Sequence, residues 1–122
     1  MIGVYGIAFQ GDRFLMVYNP KRKGWEMPGG KLEEMETPLE AMQREFLEEC
    51  GCEFQPLDCM PLGAVVVFAG TLGEIKQEGE MKYELMESLP DNLAFLECEY
   101  LEQIAWARKA VFSKLGKSRT LK

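Results

Sequence analysis

Residues 30–52 of the chain read GKLEEMETPLEAMQREFLEECGC, and this stretch carries the signals of one helix. Thr37 offers a capping hydroxyl, Pro38 suits the first helical position, and Glu40 stands where a capping box places a glutamate. Gly51 suits the left-handed residue that follows a helix. The stretch therefore predicts a helix that begins after Thr37 and ends just before Gly51.

The predicted helix has an apolar face and an acidic face when its residues are placed at about 100° each. We expect the apolar face to point to the core, and it consists of Leu39, Met42, Phe46 and Cys50. The acidic face lies nearly opposite and consists of Glu45, Glu48 and Glu49. Ala41 is the only uncharged residue among these carboxylates, and Arg44 lies beside them, placed to hold one of them by a bidentate pair. Two interpretations stay open: a solvated acidic surface, or a site for Mg²⁺ or Mn²⁺, which prefer oxygen ligands.

The spacing around this helix resembles the Nudix hydrolase signature, G-x5-E-x7-R-E-U-x-E-E-x-G-U. Gly30 is followed after five residues by Glu36, and after seven more by residues 44–51, REFLEECG. Every fixed residue stands at its spacing. The one departure is Cys52, where the family usually has an aliphatic residue. Because cysteine behaves as a small hydrophobe, this change affects packing and leaves the chemistry intact.

The residues just before the signature extend the resemblance. Residues 25–33, WEMPGGKLE, are similar to the W-x-x-P-G-G-K-x-E lead-in of MutT-type members. The resemblance implies an α/β fold, an α/β/α sandwich with a mixed β-sheet between helices. The 122 residues contain no low-complexity linker, and their number is typical of one domain. We therefore expect residues 1–122 to form a single domain of this kind.

The resemblance also implies an activity and a set of site residues. The activity is hydrolysis of a phosphoanhydride bond in a nucleoside diphosphate linked to another group, with Mg²⁺ or Mn²⁺ as the cofactor. The metal would be held by a backbone carbonyl of Gly29 or Gly30 together with Glu45, Glu48 and Glu49. Arg44 would orient a carboxylate, Glu36 would be a structural partner within the loop, and Gly51 would let the helix end turn tightly.

The chain contains no histidine, which excludes histidine general bases and histidine-containing zinc sites. A general base for the implied hydrolysis therefore has to be a carboxylate. In one interpretation a helix glutamate serves. In some relatives a glutamate from a later loop does so, and here that interpretation points to Glu80, with Glu78 as the second choice. An exposed charge at a strand edge explains Glu80 equally well.

Three further residues are candidates for binding the substrate. Lys31 follows two glycines and is placed to contact a phosphate, Trp25 offers an aromatic platform for a base, and the Asn92 amide can both donate to and accept from a purine edge. Each also has a simpler interpretation: an exposed lysine, a core aromatic residue and a turn former. The basic loop at residues 21–23 either steers a polyphosphate or is a solvated turn.

Strands are predicted on both sides of the helix. A hairpin is expected from residues 2–9 and 14–18, whereas Pro28 and the glycines argue against a strand over residues 25–30. Later strands are predicted at residues 52–60, 62–69 and 80–86, with turns at residues 71–74 and 89–92. An amphipathic helix is predicted over residues 100–115, ended by Gly116. Its apolar residues are Leu101, Ile104, Ala105, Val111, Phe112 and Leu115.

Charge and cysteine content limit which partners and which cellular compartment are expected. Twenty acidic residues against 14 basic ones give a net charge of −6, which disfavours stable binding of nucleic acid or of an anionic membrane. We expect a small-molecule nucleotide as the substrate, and a monomer or homodimer in the cytoplasm. The cysteines lack zinc-like spacing and are expected to be free and largely buried; they are Cys50, Cys52, Cys59 and Cys98.

The leading functional hypothesis is a nucleotide pyrophosphatase that converts a nucleoside triphosphate, normal or oxidised, to the monophosphate and pyrophosphate. The compact chain and the MutT-like residues 25–33 favour it over pyrophosphatases that act on ADP-ribose or dinucleoside polyphosphates. A non-catalytic, nucleotide-sensing module on the same fold is the alternative from another class. The intact set of signature glutamates argues against that alternative.

Overall fold

The computed structural model describes residues 3–120, with side chains described for residues 3–115. Seven strands and two helices lie within these residues. In chain order they are β1 (Gly3–Gln10), β2 (Arg13–Asn19), β3 (Gly24–Glu26), β4 (Gly29–Lys31), α1 (Pro38–Cys50), β5 (Cys52–Leu62), β6 (Val65–Ile75), β7 (Tyr83–Met86) and α2 (Glu97–Thr120).

The described strands form one mixed sheet in the order β3-β2-β1-β6-β5. β1 and β6 are parallel, in the register that pairs Gly3 with Val65, and the other pairs are antiparallel. The predicted hairpin is confirmed over the described residues: β1 and β2 pair at Phe9 and Phe14; the predicted start of the first strand at residue 2 lies outside them. Away from this pair, the start of β1 pairs with β4 and the end of β2 pairs with β3.

Each face of the sheet carries one helix, so the predicted α/β/α arrangement is confirmed. Because side chains alternate along a strand, β1 directs Val4 and Ala8 to one core and Ile7 and Phe9 to the other. The first core also contains the α1 residues Ala41, Met42, Phe46 and Cys50. The second contains the α2 residues Tyr100, Ile104, Ala107 and Val111.

Helix α1 is bounded as the sequence predicts. The Thr37 hydroxyl accepts a 3.2 Å hydrogen bond from the Glu40 N–H, while the Glu40 carboxylate accepts a 3.0 Å bond from the Thr37 N–H. Gly51 follows at φ +76° and donates its N–H to the Leu47 carbonyl at 2.8 Å. Both ends of the helix are therefore fixed by local interactions.

The predicted faces of α1 need correction. Leu39, assigned to the core, is 39% exposed, whereas Ala41, assigned to the acidic face, is fully buried. Ala41 belongs to the core between α1 and the sheet, and β4 lies against part of the acidic face: Glu45 contacts Gly30, and Glu49 accepts a hydrogen bond from Gly29. Glu45 and Glu49 therefore lie against β4, whereas the Glu48 side chain is 41% exposed.

Two strand predictions were wrong for reasons of backbone geometry. Residues 25–30 do contain strand: β3 and β4 lie on either side of Met27 and Pro28, and the glycines allow β4 to pair closely with β1. Residues 71–74 were predicted to turn but lie within β6, paired with β5. There Gly73 permits close approach, because a Cβ at this position would lie 3.0 Å from the Glu53 Cβ.

The later elements also begin and end differently from the prediction. The strand expected from residue 80 starts at Tyr83, because the N–H groups of Glu80 and Met81 bind carbonyls of α1. Helix α2 starts at Glu97 and continues through Gly116 to Thr120. Its buried stripe runs along residues 100, 104, 107 and 111, so several predicted core residues lie on the neighbouring, exposed stripe: Leu101, Ala105, Phe112 and Leu115.

All four cysteines are free, as predicted, but only Cys50 and Cys52 are buried. Cys59 and Cys98 are exposed. Among the helices that the structure describes, none combines the length and apolar character needed to cross a membrane.

Candidate active site

Arg44 is the centre of an ion-pair network on α1. Its Nε and Nη2 donate to the two carboxylate oxygens of Glu36 at 2.6 and 2.9 Å. Its Nη1 donates to Oε1 of Glu45 at 2.7 Å and to Oε1 of Glu48 at 3.1 Å. Nη2 also donates to the Lys31 carbonyl at 3.2 Å. One guanidinium therefore joins the loop before α1 to two carboxylates of the helix, with a bidentate pair at Glu36.

The network sets opposite protonation tendencies on its members. The hydrogen bonds from Arg44 are the main reason that the pKa of Glu36 falls from 4.5 to about 2. The same pairing raises the pKa of Arg44 above its usual value. Both groups therefore stay charged at neutral pH.

Glu49 lies beside this network and is bound by the backbone of β4. Its Oε1 accepts a 3.0 Å hydrogen bond from the Gly29 N–H. Burial, with smaller contributions from the negative charges of Glu45 and Glu26, raises the pKa of Glu49 from 4.5 to about 8, and the bond from Gly29 opposes this shift only in part. The site thus holds a carboxylate whose negative charge lacks compensation.

The two glycines before α1 bring the backbone of β4 against these carboxylates. A Cβ on Gly30 would lie 2.4 Å from Oε2 of Glu45, and a Cβ on Gly29 would lie 2.1 Å from the Val4 carbonyl oxygen. Neither position has room for a side chain. Glycine is therefore required at both positions. At Gly30 a carboxylate approaches the backbone closely, and at Gly29 the neighbouring strand does so.

The donor set fits a hard divalent cation, although the described residues do not present a finished cage. No three acidic or thiol side chains among them already surround one point. What fits is the chemistry: burial, and in smaller part the neighbouring carboxylates, raise the pKa of Glu49, and a cation compensates such a buried negative charge as well as a proton does. Residues that could supply oxygen ligands are Glu45, Glu48 and Glu49, with the backbone carbonyls of Gly29 and Gly30.

The loop at residues 76–81 covers the last turn of α1. The N–H groups of Glu80 and Met81 donate to the carbonyls of Glu48 and Glu49, both at 2.9 Å. These carbonyls would otherwise lack partners at the helix end. The loop brings the Glu80 backbone beside the site, while the Glu80 side chain is exposed, so a catalytic role for it stays a prediction.

A cavity of about 410 Å³ adjoins the carboxylates, within the size range of ligand pockets. Its walls come from β1, β4, β6 and α2 and from the segments around Arg22 and Phe95. Gly29 and Gly30 belong to both places, since they line the cavity and also contact Glu49 and Glu45. A ligand in the cavity would therefore lie next to the acidic helix.

None of the three predicted substrate-binding residues is among the described residues that line this cavity. Lys31 is exposed, and its carbonyl binds Arg44. Trp25 is half-buried, with its ring 5.5 Å from that of Tyr18 and 5.7 Å from the Lys82 ammonium. Asn92 is exposed, and its carbonyl accepts a 2.8 Å bond from the Trp25 N–H. Their proposed contacts with a substrate stay predictions.

Sequence reasoning missed most of the cavity wall. The missed side chains include Tyr5, Glu26, Phe95, Tyr100 and Gln103. Tyr5 lies within the strand predicted over residues 2–9, and Gln103 lies within the helix predicted over residues 100–115. Two signals were available: α2 carries a polar residue within its buried stripe, and Arg22 belongs to the basic loop that was considered as a phosphate-steering segment.

Known proteins share parts of this sequence and its fold. The family model described as the NUDIX domain matches residues 1–112. The 8-oxo-dGDP phosphatase NUDT18 of Danio rerio is 45% identical over 49 residues, which are 38% of this chain and 15% of that protein. The 8-oxo-dGTP diphosphatase of Proteus vulgaris is 59% identical over 29 residues, which are 24% of this chain and 26% of that protein. The matches thus span about a quarter or less of each curated relative.

A solved structure extends the likeness over nearly the whole fold. The crystal structure of an ADP-ribose pyrophosphatase from Streptococcus suis superimposes with a TM-score of 0.70 at 20% identity. The superposition covers 88% of this chain and 91% of that one.

Proposed function

Because the chain belongs to the NUDIX domain family, we propose that it hydrolyses a phosphoanhydride bond in a nucleoside diphosphate derivative, with Mg²⁺ or Mn²⁺ as the cofactor. The proposed substrate is a nucleoside triphosphate, in its normal or oxidised form, and the products are the monophosphate and pyrophosphate. The observation that carries the proposal is the network in which Arg44 joins Glu36, Glu45 and Glu48 beside a ligand-sized cavity.

The proposed roles follow from the contacts. Glu45, Glu48 and Glu49 would hold the cation with a carbonyl of Gly29 or Gly30. Bound there, a divalent cation neutralises charge on phosphate oxygens and lowers the pKa of a water. Arg44 keeps Oε1 of Glu45 and of Glu48 in fixed positions. Glu36 holds the guanidinium from the other side.

The general base in this proposal is a carboxylate, because the chain has no histidine. A glutamate of α1 is the first choice, since the cluster on α1 is where the cation would activate water. Glu80 is the second, because the loop at residues 76–81 binds the helix end. Glu80→Gln separates the two: a loss of turnover with unchanged metal affinity assigns the base to Glu80, and full turnover assigns it to α1.

An oxidised substrate is included because both curated relatives are named for oxidised guanine nucleotides. The test is therefore a panel of nucleoside triphosphates, 8-oxo-dGTP, 8-oxo-dGDP, ADP-ribose, dinucleoside polyphosphates and nucleotide sugars. Products are identified by chromatography with Mg²⁺, with Mn²⁺ and with excess chelator. Triphosphate hydrolysis to monophosphate and pyrophosphate that stops in chelator supports the proposal.

The matched variants are Glu48→Gln and Glu49→Gln, with Glu102→Gln, an exposed residue of α2, as the control. We expect the two α1 variants to lose turnover by a factor of about 10² or more and the control to keep it. Full activity in either α1 variant, or activity in chelator, would overturn the proposal. Tight nucleotide binding without turnover under any metal would favour the sensing module instead.

A further inference from the structure

We propose that Gln103, which lines the cavity beside β4 together with Tyr5, sets which base is preferred when the base of the nucleotide occupies that cavity. This inference rests on the proposed function, because it assigns one part of that substrate to a part of the site. It assigns a specificity role to Gln103, a residue of α2.

Gln103 is unusual in its surroundings. Among the described residues it is the only non-aromatic polar side chain that is almost fully buried, with 8% of its surface exposed. A buried amide is costly unless its N–H and carbonyl groups find partners. The Tyr5 side chain lines the same cavity; burial raises the pKa of Tyr5, and the neighbouring Gln103 amide acts in the opposite direction.

A contact with the Tyr5 hydroxyl would use only part of the hydrogen-bonding capacity of the Gln103 amide. A glutamine amide has two N–H donors and one acceptor oxygen, and a phenol both donates and accepts. Both side chains line the cavity. Together they present neighbouring donor and acceptor groups to a ligand, which is the arrangement that the hydrogen-bonding edge of a nucleobase requires.

The rest of the wall suits a planar apolar ring. Met27, Val65 and Phe95 contribute apolar surface, and half of the Phe95 side chain is exposed. The Arg22 guanidinium lies 5.1 Å from the centre of the Phe95 ring, so this ring already accepts a flat group against its face. Aromatic faces bind bases by stacking in the same way.

Charge argues against placing the phosphates here. The charged side chains that line the cavity are Arg22, Glu26 and Glu99, and Arg22 is paired with Glu26 at 3.1 Å. Glu99 leaves a net negative charge, which repels phosphate. The phosphates are therefore assigned to the cation side of β4, at α1, and the neutral base to the cavity side.

The experiment measures binding, so that it does not depend on turnover. Dissociation constants for the four ribonucleoside monophosphates and for ribose 5-phosphate are measured by calorimetry on the full chain, for the wild type and for Gln103→Leu and Tyr5→Phe. Gln10→Leu, an exposed glutamine at the far end of β1, is the matched control.

We expect the wild type to bind at least one monophosphate about tenfold or more tightly than ribose 5-phosphate, which has no base. Gln103→Leu should reduce that difference about tenfold, the usual effect of losing a buried hydrogen bond, with the affinity for ribose 5-phosphate unchanged. Tyr5→Phe should reduce it less. Unchanged base preference in Gln103→Leu would overturn the inference. If the leucine variant does not fold, Gln103→Asn, which withdraws the amide by one methylene, is read by the same criterion.

The same variants separate the inference from the proposed function. Base-selective binding that depends on Gln103, in a protein that hydrolyses nothing in the panel, would leave the inference standing and overturn the hydrolase proposal. A second outcome concerns substrates that share one base and differ in the group linked to the diphosphate. If Gln103→Leu changes the preference among these substrates, the cavity holds that group, and the inference is overturned.

Discussion

The Gly29 N–H donates a 3.0 Å hydrogen bond to Oε1 of Glu49, a residue twenty positions further along the chain. This bond connects the edge strand β4 to helix α1. It also holds a partly buried carboxylate beside Gly29, a residue that lines the cavity.

The two glycines of β4 should respond differently to the same substitution. Gly30→Ala would place a Cβ 2.4 Å from Oε2 of Glu45, the end of a side chain that can move. We expect a folded protein that has lost activity by a factor of about 10². Gly29→Ala would place its Cβ 2.1 Å from the Val4 carbonyl oxygen, which is backbone, so this variant should fail to fold. Thermal unfolding and turnover distinguish the two; a fully active Gly30→Ala would contradict the assignment of Glu45.

Arg44→Lys should reduce activity without unfolding the protein. A lysine keeps the charge but cannot make the bidentate bond to Glu36 while also reaching Glu45 and Glu48. Misplaced carboxylates should weaken Mg²⁺ affinity by about 10–100-fold, measured by metal titration of turnover. The reference is Arg13→Lys, at an exposed pair with Glu87, which should be indistinguishable from wild type. Equal metal affinity in the two variants would count against the network.

Glu36 makes folding stability sensitive to acid. Its pKa in the folded protein, about 2, is below its usual 4.5. The carboxylate therefore contributes stability that is fully present above pH 4.5 and is lost as the pH falls towards 2. Glu36→Gln should remove this part of the acid dependence in urea unfolding measured across that range. Parallel curves for the variant and the wild type below pH 4.5 would refute the prediction.

Glu49 acts in the opposite direction and in a different range. Its pKa in the folded protein is about 8, above its usual 4.5, so the folded state holds a proton that the unfolded state releases. The stability of the metal-free protein should decrease between pH 4.5 and 8. Glu49→Gln should flatten that decrease, as should saturating Mg²⁺, which replaces the proton. Stability measured in chelator and in Mg²⁺ checks both effects.

Gly79 tests the loop that covers the helix end. A Cβ there would lie 2.4 Å from the Glu49 carbonyl oxygen and 2.5 Å from the Cys50 carbonyl carbon. Gly79→Ala should push the loop away and lower the free energy of unfolding by about 1–3 kcal/mol. In Gly63→Ala, where nothing lies within 4 Å and φ is +62°, only the conformational cost of about 1–2 kcal/mol is expected. Loss of activity in Gly79→Ala, with activity kept in Gly63→Ala, would show that the loop contributes to the site.

Local signals in the sequence predicted the parts of the site that depend on local geometry. The capping residues of α1 and the spacing of its glutamates are set within one helix, so they could be derived without knowing what packs against it. The surroundings of Glu49 could not, because β4, the strand that binds Glu49, pairs with β1, far away in the sequence. The same holds for Gln103, whose neighbour Tyr5 is on the first strand. The short strands β3 and β4 were missed because their pairing depends on contacts between distant segments, which overcome the unfavourable glycines.

Strand β4 is the common wall of the two halves of the site, with Glu45 and Glu49 on one side and the cavity on the other. A change in β4 would therefore alter recognition and hydrolysis together. Helix α2 differs from β4 because it contributes to the cavity but packs on the face of the sheet opposite α1. Substitutions on α2, in evolution or in protein engineering, can therefore change substrate preference without altering the residues on α1.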